Sequence, residues 1–376
     1  MVKVAVNTRL LLKDKLEGIG WFTHESLRRI VTQHKEHQFY FLFDRPYDEQ
    51  FVYGSNVTPV VAHPPARHPY LWYLFFEKGI PAKLRGISPD LFLSTDGWMP
   101  LHLNESVKSV NVIHDLNFAH HRDFIKPVVL RYYDRFFPRF AQAADRLATV
   151  SEFTRNDIHD TYGVPLEKID VVYNGCNELF HPLSDEEQQR VRDQYAGGCP
   201  YFLFVGLIHK RKNLANIFRA FDAFKSRESS NAKLMVVGDK KWWEGEIQDT
   251  YETMRFKDEV VMMGRQPMET LYRLYGAARA LVYASLFEGF GIPIVEAFHA
   301  ETAVITSTVT SMPEVAGDAA LLVDPNSVTQ ISDAMISLWK DDALREGLVA
   351  KGRLRREQFS WQQTADRLWS CIEKVF

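Results

Sequence analysis

Apolar residues along this chain fall into short runs, and longer stretches between the runs carry apolar residues at helical spacing. A short apolar run bounded by turn residues is typical of a strand buried on both faces, and helical spacing predicts an amphipathic helix. Strands that alternate with helices favour a parallel sheet with helices on both of its faces. The pattern therefore predicts an α/β chain built on parallel sheets covered by helices.

In the first half, the pattern predicts three long helices and seven strands. The helices are expected at residues 21–34, 70–85 and 126–144, with a loop ending in Gly18-Ile19-Gly20 before the first. The strands are expected at residues 2–6, 39–43, 57–62, 91–94, 109–113, 146–150 and 169–173.

The second half repeats this alternation more clearly. A helix is expected at residues 214–227, and an amphipathic helix at 361–376. The strands are expected at residues 201–206, 234–238, 260–264, 281–285, 304–307 and 321–324. Small residues end several of these strands, at Gly206, Gly238 and Gly264, which is where parallel sheets bind ligands.

A chain of 376 residues is long for a single core, so two domains are expected. Turn residues followed by the polar run at 181–187 indicate a linker, with the boundary near residue 183. The predicted organisation is a first domain at 1–183, a second at 184–358 and a C-terminal helix at 359–376.

Composition narrows the class of protein further. Hydrophobic residues make up 46%, charged residues 25%, and the net charge is -3, which does not favour a nucleic-acid partner. Three widely spaced cysteines, Cys176, Cys199 and Cys371, predict neither a disulfide framework nor a zinc site, and they fit a reducing cytoplasm. No signal peptide and no membrane-spanning run is recognised.

The chemistry is concentrated at residues 280–300. An apolar strand is followed by a glycine-rich loop containing Glu288, and Pro293 suits the first position of a helix, which would place Glu296 in its first turn. A helix N-terminus favours a bound phosphate, and an ionised carboxylate accepts hydrogen bonds from both hydroxyls of a vicinal diol. The stretch therefore suits a nucleotide sugar, although acidic residues in a first helical turn are also common without a ligand.

A second charged stretch follows the strand at 201–206. His209, Lys210, Arg211 and Lys212 come directly before a helix, where they are placed to hold a diphosphate. A solvated charged loop is the simpler alternative. The chain contains no Asp-x-Asp pair, so cations and helix N-termini are expected to offset diphosphate charge, and no metal site is predicted.

Residues 285–297 resemble the motif of two glutamates separated by seven residues in the retaining glycosyltransferases of family 4, the group 1 set with the GT-B fold. The resemblance covers nearly the whole chain. It implies two Rossmann-like domains facing a cleft, with the C-terminal helix crossing back to the first domain. It also implies transfer of a hexosyl group from a nucleotide sugar with retention of configuration.

The resemblance assigns roles residue by residue. Glu288 is expected to grip the donor sugar, Glu296 the ribose, and Arg211 and Lys212 the diphosphate, while His114, in a segment resembling the family's His-Asp turn, orients the donor sugar. Further donor-binding residues are expected in the segments that resemble the family's glycine loops and its serine-rich turn: Gly18, Gly20, Gly206, Phe290, Gly291, Ile292, Thr310 and Ser311.

Two positions depart from the family pattern. Leu207 stands where many members have arginine, so Arg211 acts without that second arginine or another residue replaces it. Glu301 stands where the family has glycine, which predicts a differently built turn. The aromatic stretch at 70–76, with Trp98, has three competing interpretations, namely core packing, acceptor-sugar stacking and contact with a membrane surface.

The expected donor is a GDP-sugar or a UDP-sugar, with mannose favoured, and no other cofactor is expected. The expected acceptor is a glycan or a lipid-linked glycan, and the expected location is the cytoplasm, including the inner face of the membrane. Two other classes stay open: a nucleotide-sugar-binding protein without transfer activity, and another GT-B enzyme such as a nucleotide-sugar epimerase or a phosphorylase.

Overall fold

A computed structural model of the chain describes residues 1–240 and 243–376, which form two α/β units. The first unit comprises Met1–Gly175 together with Trp361–Phe376, and the second comprises Cys176–Ser360. Each unit is built on one parallel sheet with helices packed around it. The prediction of two Rossmann-like domains is confirmed.

The first sheet is formed by short, apolar strands, and its inner strand β1 has Val4, Ala5 and Val6 completely buried. Its seven strands lie in the order β3-β2-β1-β4-β5-β6-β7, and all neighbours are parallel. They are β1 Lys3–Asn7, β2 Gln38–Phe43, β3 Val57–Val61, β4 Leu91–Ser94, β5 Lys108–Ile113, β6 Arg146–Thr149 and β7 Ile169–Val171.

Seven α-helices belong to the first unit as the structure describes it. They are α1 Gly18–Gln33, α2 Pro69–Leu74, α3 Ile80–Ile87, α4 Asn117–His120, α5 Pro127–Ala143, α6 Glu152–Tyr162 and, far along the chain, α15 Trp361–Glu373. Helix α1 already begins at Gly18, because Trp21 N–H donates to the carbonyl of Glu17 at 2.8 Å. Gly18 and Gly20 therefore lie in the first helical turn, and the expected loop over these residues is wrong.

The long helix expected at 70–85 is present as continuous helical structure, but one wide turn interrupts its α-helical geometry. The chain forms α2, then one wide π-helical turn over Phe75–Gly79, and then α3. Pro81 has no N–H for an α-helical bond, and Gly79 lies so close to the His63 carbonyl that a Cβ would sit 2.2 Å from its oxygen. The wide turn buries Phe75 and Phe76 completely, so this part of the aromatic stretch is core.

Helix α15 completes the core of the first unit although it lies almost two hundred residues from the rest of that unit. It packs along α1, where the Trp369 ring stacks on His34 with centroids 3.8 Å apart. Leu368, Cys371 and Ile372 are fully buried. Thr364 Oγ1 also donates to the Tyr173 carbonyl at 2.7 Å, so α15 is tied to the segment that follows β7 as well as to α1.

The second sheet has six parallel strands in the order β10-β9-β8-β11-β12-β13. Its central strand β8 is buried along its whole length, as expected for a continuous apolar run. The strands are β8 Tyr201–Val205, β9 Lys233–Val237, β10 Val260–Gly264, β11 Ala280–Tyr283, β12 Ala303–Ser307 and β13 Leu321–Val323.

Eight α-helices surround this sheet in the described part of the second unit. They are α7 Asp185–Ala196, α8 Leu214–Arg227, α9 Glu246–Thr253, α10 Met268–Gly276, α11 Ile292–His299, α12 Met312–Ala316, α13 Val328–Lys340 and α14 Asp342–Arg355. Phenylalanines of α8, among them Phe218, Phe221 and Phe224, fill the core beneath β8. Over the described ranges, every helix lacks the length and apolar character needed to cross a bilayer.

The polar run expected to be a linker is the start of a helix. Ser184 caps α7 with a complete capping box, in which its hydroxyl accepts from Glu187 N–H and the Glu187 carboxylate accepts from Ser184 N–H. Upstream of it, the Phe180 ring meets the edge of Tyr275 at 5.3 Å and Leu183 covers Gly276. The two units accordingly divide after Gly175, ahead of the boundary expected near residue 183.

The turn after α11 keeps a conformation suited to glycine even though it carries a glutamate. Glu301 has φ of 57°, in the left-handed region that glycine adopts without a steric cost. The carboxylate of Glu301 pairs with Arg353, and with Arg356 at 3.5 Å. These ion pairs to α14 and the residue that follows it compensate for the unfavourable backbone angle.

This turn generates a stability prediction. Glu301→Ala and Glu301→Gly both remove the ion pairs, but only glycine adopts the left-handed angle without a steric cost. We expect the Gly variant to be more stable than the Ala variant by about 1 kcal/mol, measured by urea unfolding at neutral pH. An Ala variant at least as stable as the Gly variant would show that the turn changes its backbone when the glutamate is lost.

Candidate functional site

The order of strands in the second sheet identifies the carboxyl ends of β8 and β11 as the place for ligand binding. From β8 the chain proceeds outward to β9 and β10, and then returns to the other side of β8 as β11. At such a switch point, the loops after the two strands diverge and leave a crevice at their carboxyl ends. The loop after β8 carries Arg211 and Lys212, and the loop after β11 carries Glu288.

The cationic loop after β8 is locked in place by side-chain and backbone hydrogen bonds. Lys210–Lys212 forms one 3-10 turn, which His209 caps by accepting the Arg211 N–H at Nδ1 (3.2 Å). Asn213 donates from Nδ2 to the carbonyls of Ala284 (2.9 Å) and Pro325 (2.6 Å). These bonds tie the turn to the loop after β11, so its cations are held rather than freely solvated.

Glu288 joins the two cations. Its Oε2 accepts from Arg211 Nη1 at 2.5 Å, and its Oε1 accepts from Lys212 Nζ at 2.7 Å. Lys212 Nζ also donates to the Tyr283 hydroxyl at 2.6 Å, and Arg211 Nη1 to the Phe287 carbonyl at 2.8 Å. The residues predicted to bind the sugar and the diphosphate thus form one buried network.

The network keeps Glu288 ionised. Burial opposes its ionisation, but the adjacent charges of Arg211 and Lys212 more than offset burial and lower its pKa to about 2. Two cations and one carboxylate leave the cluster with a net positive charge, which favours an anionic ligand. The Arg211 side chain is 23% exposed and that of Lys212 is 10% exposed, so Arg211 lies nearer to solvent.

Gly206 follows β8 and lies beside the Lys212 side chain. A Cβ on Gly206 would lie in ordinary contact with that side chain, 3.4 Å from its Cε. On the other side, a Cβ on Gly238 would meet the Gly206 carbonyl oxygen at 1.9 Å. The neighbouring Leu207, which departs from the family pattern, has 42% of its surface exposed.

Thr310 and Ser311 hold the Glu288 loop from the next strand, β12. Thr310 has φ of 57° and its Oγ1 accepts the Glu288 N–H at 3.2 Å. The buried Ser311 hydroxyl lies 2.8 Å from the Glu288 carbonyl and 3.0 Å from that of Phe290. Loops after three neighbouring strands therefore meet at Glu288.

Helix α11 begins at Ile292, one residue earlier than predicted, with Pro293 second and Gly291 as its N-cap at φ of 100°. Glu296 consequently lies in the second helical turn, and its expected place in the first turn is wrong. Phe290 is buried and packs edge-on against Phe359 at 5.6 Å, so its side chain anchors the loop.

Glu296 has a different electrostatic environment from Glu288. Its Oε2 accepts from the hydroxyl of the buried Tyr275 at 2.7 Å. Burial raises the pKa of Glu296 to about 7, because the Tyr275 hydrogen bond and the charge of Lys212 oppose burial only in part. The two site carboxylates therefore differ, one fixed in its ionised form and one able to gain a proton near neutral pH.

In the first unit, His114 follows β5 and its Nε2 lies 2.8 Å from the Thr95 carbonyl. A carbonyl only accepts, so Nε2 carries the hydrogen, and burial lowers the pKa of the ring, which favours the neutral form with Nδ1 as an acceptor. Thr23 of α1 also bonds Thr95, through its hydroxyl at 2.8 Å. The first turns of α1 and His114 are thus joined through Thr95.

Sequence reasoning missed a second charged cluster, at the switch point of the first sheet. Arg9 follows β1 and Asp96 follows β4, and Arg9 Nε donates to Asp96 Oδ2 at 2.5 Å. Asn7 Nδ2 donates to Asp96 Oδ1 at 2.8 Å, and the guanidinium of Arg9 lies 4.3 Å from the centre of the Trp98 ring. A polar residue at each strand end was the available signal.

The tyrosines Tyr275 and Tyr283 were also missed as site residues. Tyr283 falls within the strand predicted at 281–285, and Tyr275 falls between the strands predicted at 260–264 and 281–285. A fully buried tyrosine requires a partner for its hydroxyl, and that requirement was the signal that could have found them.

Among the described residues, one group of ligand-type side chains lies close enough to hold a metal: His34, Glu36 and His37 at the end of α1. His37 Nδ1 accepts the Val2 N–H at 3.1 Å, so the neutral ring carries its hydrogen on Nε2, which faces Glu36 at 3.2 Å. The His37 ring is therefore satisfied by hydrogen bonds, and this cluster suits the packing of α15 better than a metal.

Two family models match the chain, one for each unit. Glycosyl transferases group 1 matches residues 185–355, and Glycosyltransferase Family 4 matches residues 17–178. The chain is 27% identical over 362 residues to the O-antigen chain mannosyltransferase B of Escherichia coli, covering 93% of this chain and 94% of that protein. It is 29% identical over 286 residues to the O-antigen chain mannosyltransferase RfbU of Salmonella typhimurium, covering 74% and 75%.

Solved structures share the fold at low sequence identity. The Anabaena protein Alr3699/HepE, solved in complex with UDP and glucose, superimposes with a TM-score of 0.75 at 13% identity, over 100% of both chains. This likeness supports the fold of the two units.

The ion network predicts a pH-dependent contribution to stability. Glu288→Gln leaves the buried Lys212 and the partly exposed Arg211 without their carboxylate, and we expect it to lower the free energy of unfolding by roughly 3 kcal/mol at pH 7. Because the pKa of Glu288 is lowered in the folded state, this stabilisation is complete above pH 4.5 and is lost as the pH falls toward about 2.

Urea unfolding of both proteins between pH 7 and the acid limit measures the difference. Asp333→Asn is the control, since its ion pair with Arg227 is half exposed and should contribute less than about 1 kcal/mol. A stability difference for Glu288→Gln that does not change with pH would show that packing, rather than charge, is responsible.

Proposed function

The chain belongs to the group 1 glycosyltransferases of family 4, as the sequence predicted, and on this premise we propose that it transfers a hexosyl group, mannose favoured, from a nucleotide diphosphate sugar to a glycan or lipid-linked glycan. The proposal includes retention of anomeric configuration and independence from a metal ion. The donor is a GDP-sugar or a UDP-sugar.

The observation that carries this proposal is the charged network at the switch point between β8 and β11. A diphosphate needs cations near the bond that breaks, because negative charge grows on the leaving group. Arg211 lies nearer to solvent and is the candidate for direct contact with the diphosphate. Lys212 lies behind it and contributes its charge from a buried position.

In this proposal, Glu288 serves both the protein and the donor sugar. Each carboxylate oxygen has two lone pairs, and each takes one hydrogen bond from a cation of the network. The second lone pairs suit hydroxyls of the sugar. Glu296, one turn into α11, suits the ribose diol, and the N-terminus of α11 at Gly291 and Ile292 suits a phosphate.

The first unit is proposed to orient the donor sugar and to bind the acceptor. The Nδ1 of neutral His114 accepts a hydrogen bond from a sugar hydroxyl, since Nε2 donates to Thr95. Gly18 and Gly20 present backbone N–H groups of the first turn of α1, a turn that favours negative charge.

No nucleophile of the enzyme enters the proposed step. The acceptor hydroxyl attacks the anomeric carbon on the face from which the diphosphate departs, and the leaving phosphate oxygen takes the hydroxyl proton. Arg211 and Lys212 offset the charge of the departing diphosphate. The residues therefore act by positioning and electrostatics.

Relatives support the finer choices of donor and acceptor. Two relatives, matched over 93% and 74% of this chain, are O-antigen mannosyltransferases, which favours mannose and a cell-surface polysaccharide. The structural neighbour with UDP and glucose keeps UDP-sugars open. A binding protein without transfer activity, or an epimerase, would use the same donor site but would release no new glycoside.

We also propose that the first unit contacts an anionic membrane surface from the cytoplasmic side, with lipid-linked glycans as acceptors. On α2, Tyr70, Tyr73 and Leu74 are exposed. Tyr73 packs on Phe136 of α5 at 5.8 Å, and the guanidinium groups of Arg135 and Arg139 flank the Phe136 ring. Exposed aromatic residues beside arginines suit the boundary between headgroups and acyl chains.

The donor site is tested with nucleotides. Thermal unfolding with GDP, UDP, ADP and their sugar conjugates should give a stabilisation of about 2.7 kcal/mol at a hundredfold excess over Kd for one base, with or without magnesium. Glu296→Ala should weaken donor binding about 10- to 100-fold, because it removes hydrogen bonds to a charged group. No shift with any nucleotide would refute the donor site.

Turnover separates the remaining alternatives. Arg211→Ala should lower kcat about 100-fold or more while the protein stays folded, as loss of a charge-stabilising donor does. NMR of the product assigns the anomeric configuration, and an inverted product would refute the retaining mechanism. A free epimer of the donor sugar, in place of a glycoside, would favour the epimerase.

Membrane contact is tested by sedimentation with lipid vesicles. We expect the protein to bind phosphatidylglycerol vesicles and to bind them more weakly as salt is added. Replacing Arg131, Arg135 and Arg139 with serine should reduce vesicle affinity about tenfold, because each lost charge contributes about 1 kcal/mol or less of attraction to the anionic surface. Replacing the exposed Arg190, Lys257 and Lys351 of the second unit is the matched control. Equal losses in the two triple variants would show that total charge, not this face, is responsible.

A further inference from the structure

Tyr275 lies on α10 in the buried interior of the second unit and contacts Glu296, one of the two site carboxylates. Its hydroxyl donates to Glu296 Oε2 at 2.7 Å, and its side chain is fully buried. The ring is held by Phe180 at 5.3 Å, and its carbonyl accepts from the Thr302 hydroxyl at 2.6 Å. Tyr275 is therefore a rigid donor fixed by both its ring and its backbone.

Ionisable groups approach Glu296 from three places besides its own helix. Tyr275 comes from α10, Lys212 from the turn after β8, and Cys176 from the segment before α7. Helix α14 packs on α11, and the arginines at its C-terminal end have partners other than Glu296. Arg353 and Arg356 pair with Glu301, and Arg355 donates to the carbonyls of Glu314 and Val315. On the helix itself, His299 lies three residues on, with a pKa lowered by burial.

Tyr275 is the sole hydrogen-bond donor to the Glu296 carboxylate that the described part of the chain records, while Lys212 acts through its charge. Burial also raises the pKa of the Tyr275 hydroxyl far above its ordinary value, so this group remains a donor throughout the neutral range. The hydrogen bond orients the carboxyl group and favours its ionised form.

We propose that Tyr275 is a positioning residue for Glu296, holding one carboxylate oxygen so that the ionised group is presented to the ribose diol of the donor. This inference rests on the proposed function of Glu296 in donor binding. It adds that donor affinity is coupled to the loss of one proton from this carboxyl group.

The coupling follows from the chemistry of the two forms. Ionised Glu296 accepts hydrogen bonds from both ribose hydroxyls, whereas the protonated form presents a donor and loses part of its acceptor capacity. With a pKa of about 7, roughly half of the free protein is protonated at pH 7, so binding releases about half a proton. Donor affinity should rise with pH through neutrality and level off above it.

Tyr275→Phe removes one oxygen and tests the proposal. If the pKa of Glu296 rises by about one unit, the ionised fraction at pH 7 falls from about a half to about a tenth, and Kd rises about fivefold. Isothermal titration with GDP-mannose, and with UDP-glucose as the second probe, measures Kd from pH 6 to pH 9. Titration in buffers of different ionisation enthalpy measures the protons released on binding. At pH 7 this number should rise from about half a proton for wild type to nearly one proton for Tyr275→Phe.

The expected signature is recovery at high pH. The Kd ratio between Tyr275→Phe and wild type should be about fivefold or more at pH 7 and should fall toward one at pH 9, where Glu296 is ionised in both proteins, and any ratio that remains at pH 9 measures the loss of positioning. Tyr201→Phe is the matched control, because Tyr201 is equally buried and its hydroxyl donates to the Leu274 carbonyl at the same distance of 2.7 Å. It should leave both Kd and proton release unchanged.

Glu296→Gln identifies the titrating group and does not depend on the stability of the tyrosine variant. It should abolish proton release and flatten the pH dependence. A Kd ratio for Tyr275→Phe that is constant with pH, or proton release that survives Glu296→Gln, overturns the inference alone. A wild-type protein that binds neither probe overturns the proposed function, and this inference with it.

Discussion

The second unit depends on one buried carboxylate that holds two cations. Glu288 brings Arg211 and Lys212 together at the carboxyl ends of β8 and β11. Removing charges from water is costly, so such a network persists only where every group has a partner. Loops after three strands supply those partners, and the requirement to satisfy Glu288 fixes the shape of the edge where a donor is proposed to bind.

The first unit follows the same principle with different residues. At the switch point of its sheet, Asp96 holds Arg9 and Asn7, and the aromatic ring of Trp98 covers the guanidinium. Each unit thus has oppositely charged side chains in contact at the point where the strand order of its sheet reverses. In the first unit, Arg9 and Asp96 are almost completely buried, so their contact is suited to holding the nearby loops in place. In the second unit, Arg211 keeps access to solvent.

Much of the fold could be predicted because buried parallel strands are continuous apolar runs. Strands such as Tyr201–Val205 and helix Leu214–Arg227 need no distant information. One failure arose where a tertiary contact overrides local pattern, at the π turn against the His63 carbonyl. The start of α7 was missed although its signal is local, since Ser184 and Glu187 form a capping box. The residue types of the site were predicted, but the pairing of Lys212 with Glu288 was not, since contacts between distant positions leave no local trace. The left-handed Glu301 shows the same limit, because its compensating arginines follow some fifty residues later.

The placement of α15 has a consequence for how the chain folds during synthesis. All of the second unit lies between Cys176 and Ser360, whereas the first unit needs Trp361–Phe376 to cover α1. On a ribosome, the unit begun first is therefore the one completed last, and its surface around His34 and Phe39 stays uncovered while the second unit folds. A nascent chain that has released residues up to Ser360 from the ribosome, with Trp361–Phe376 still inside the exit tunnel, would carry a finished second unit and an unfinished first one, which is the species that chaperones would meet.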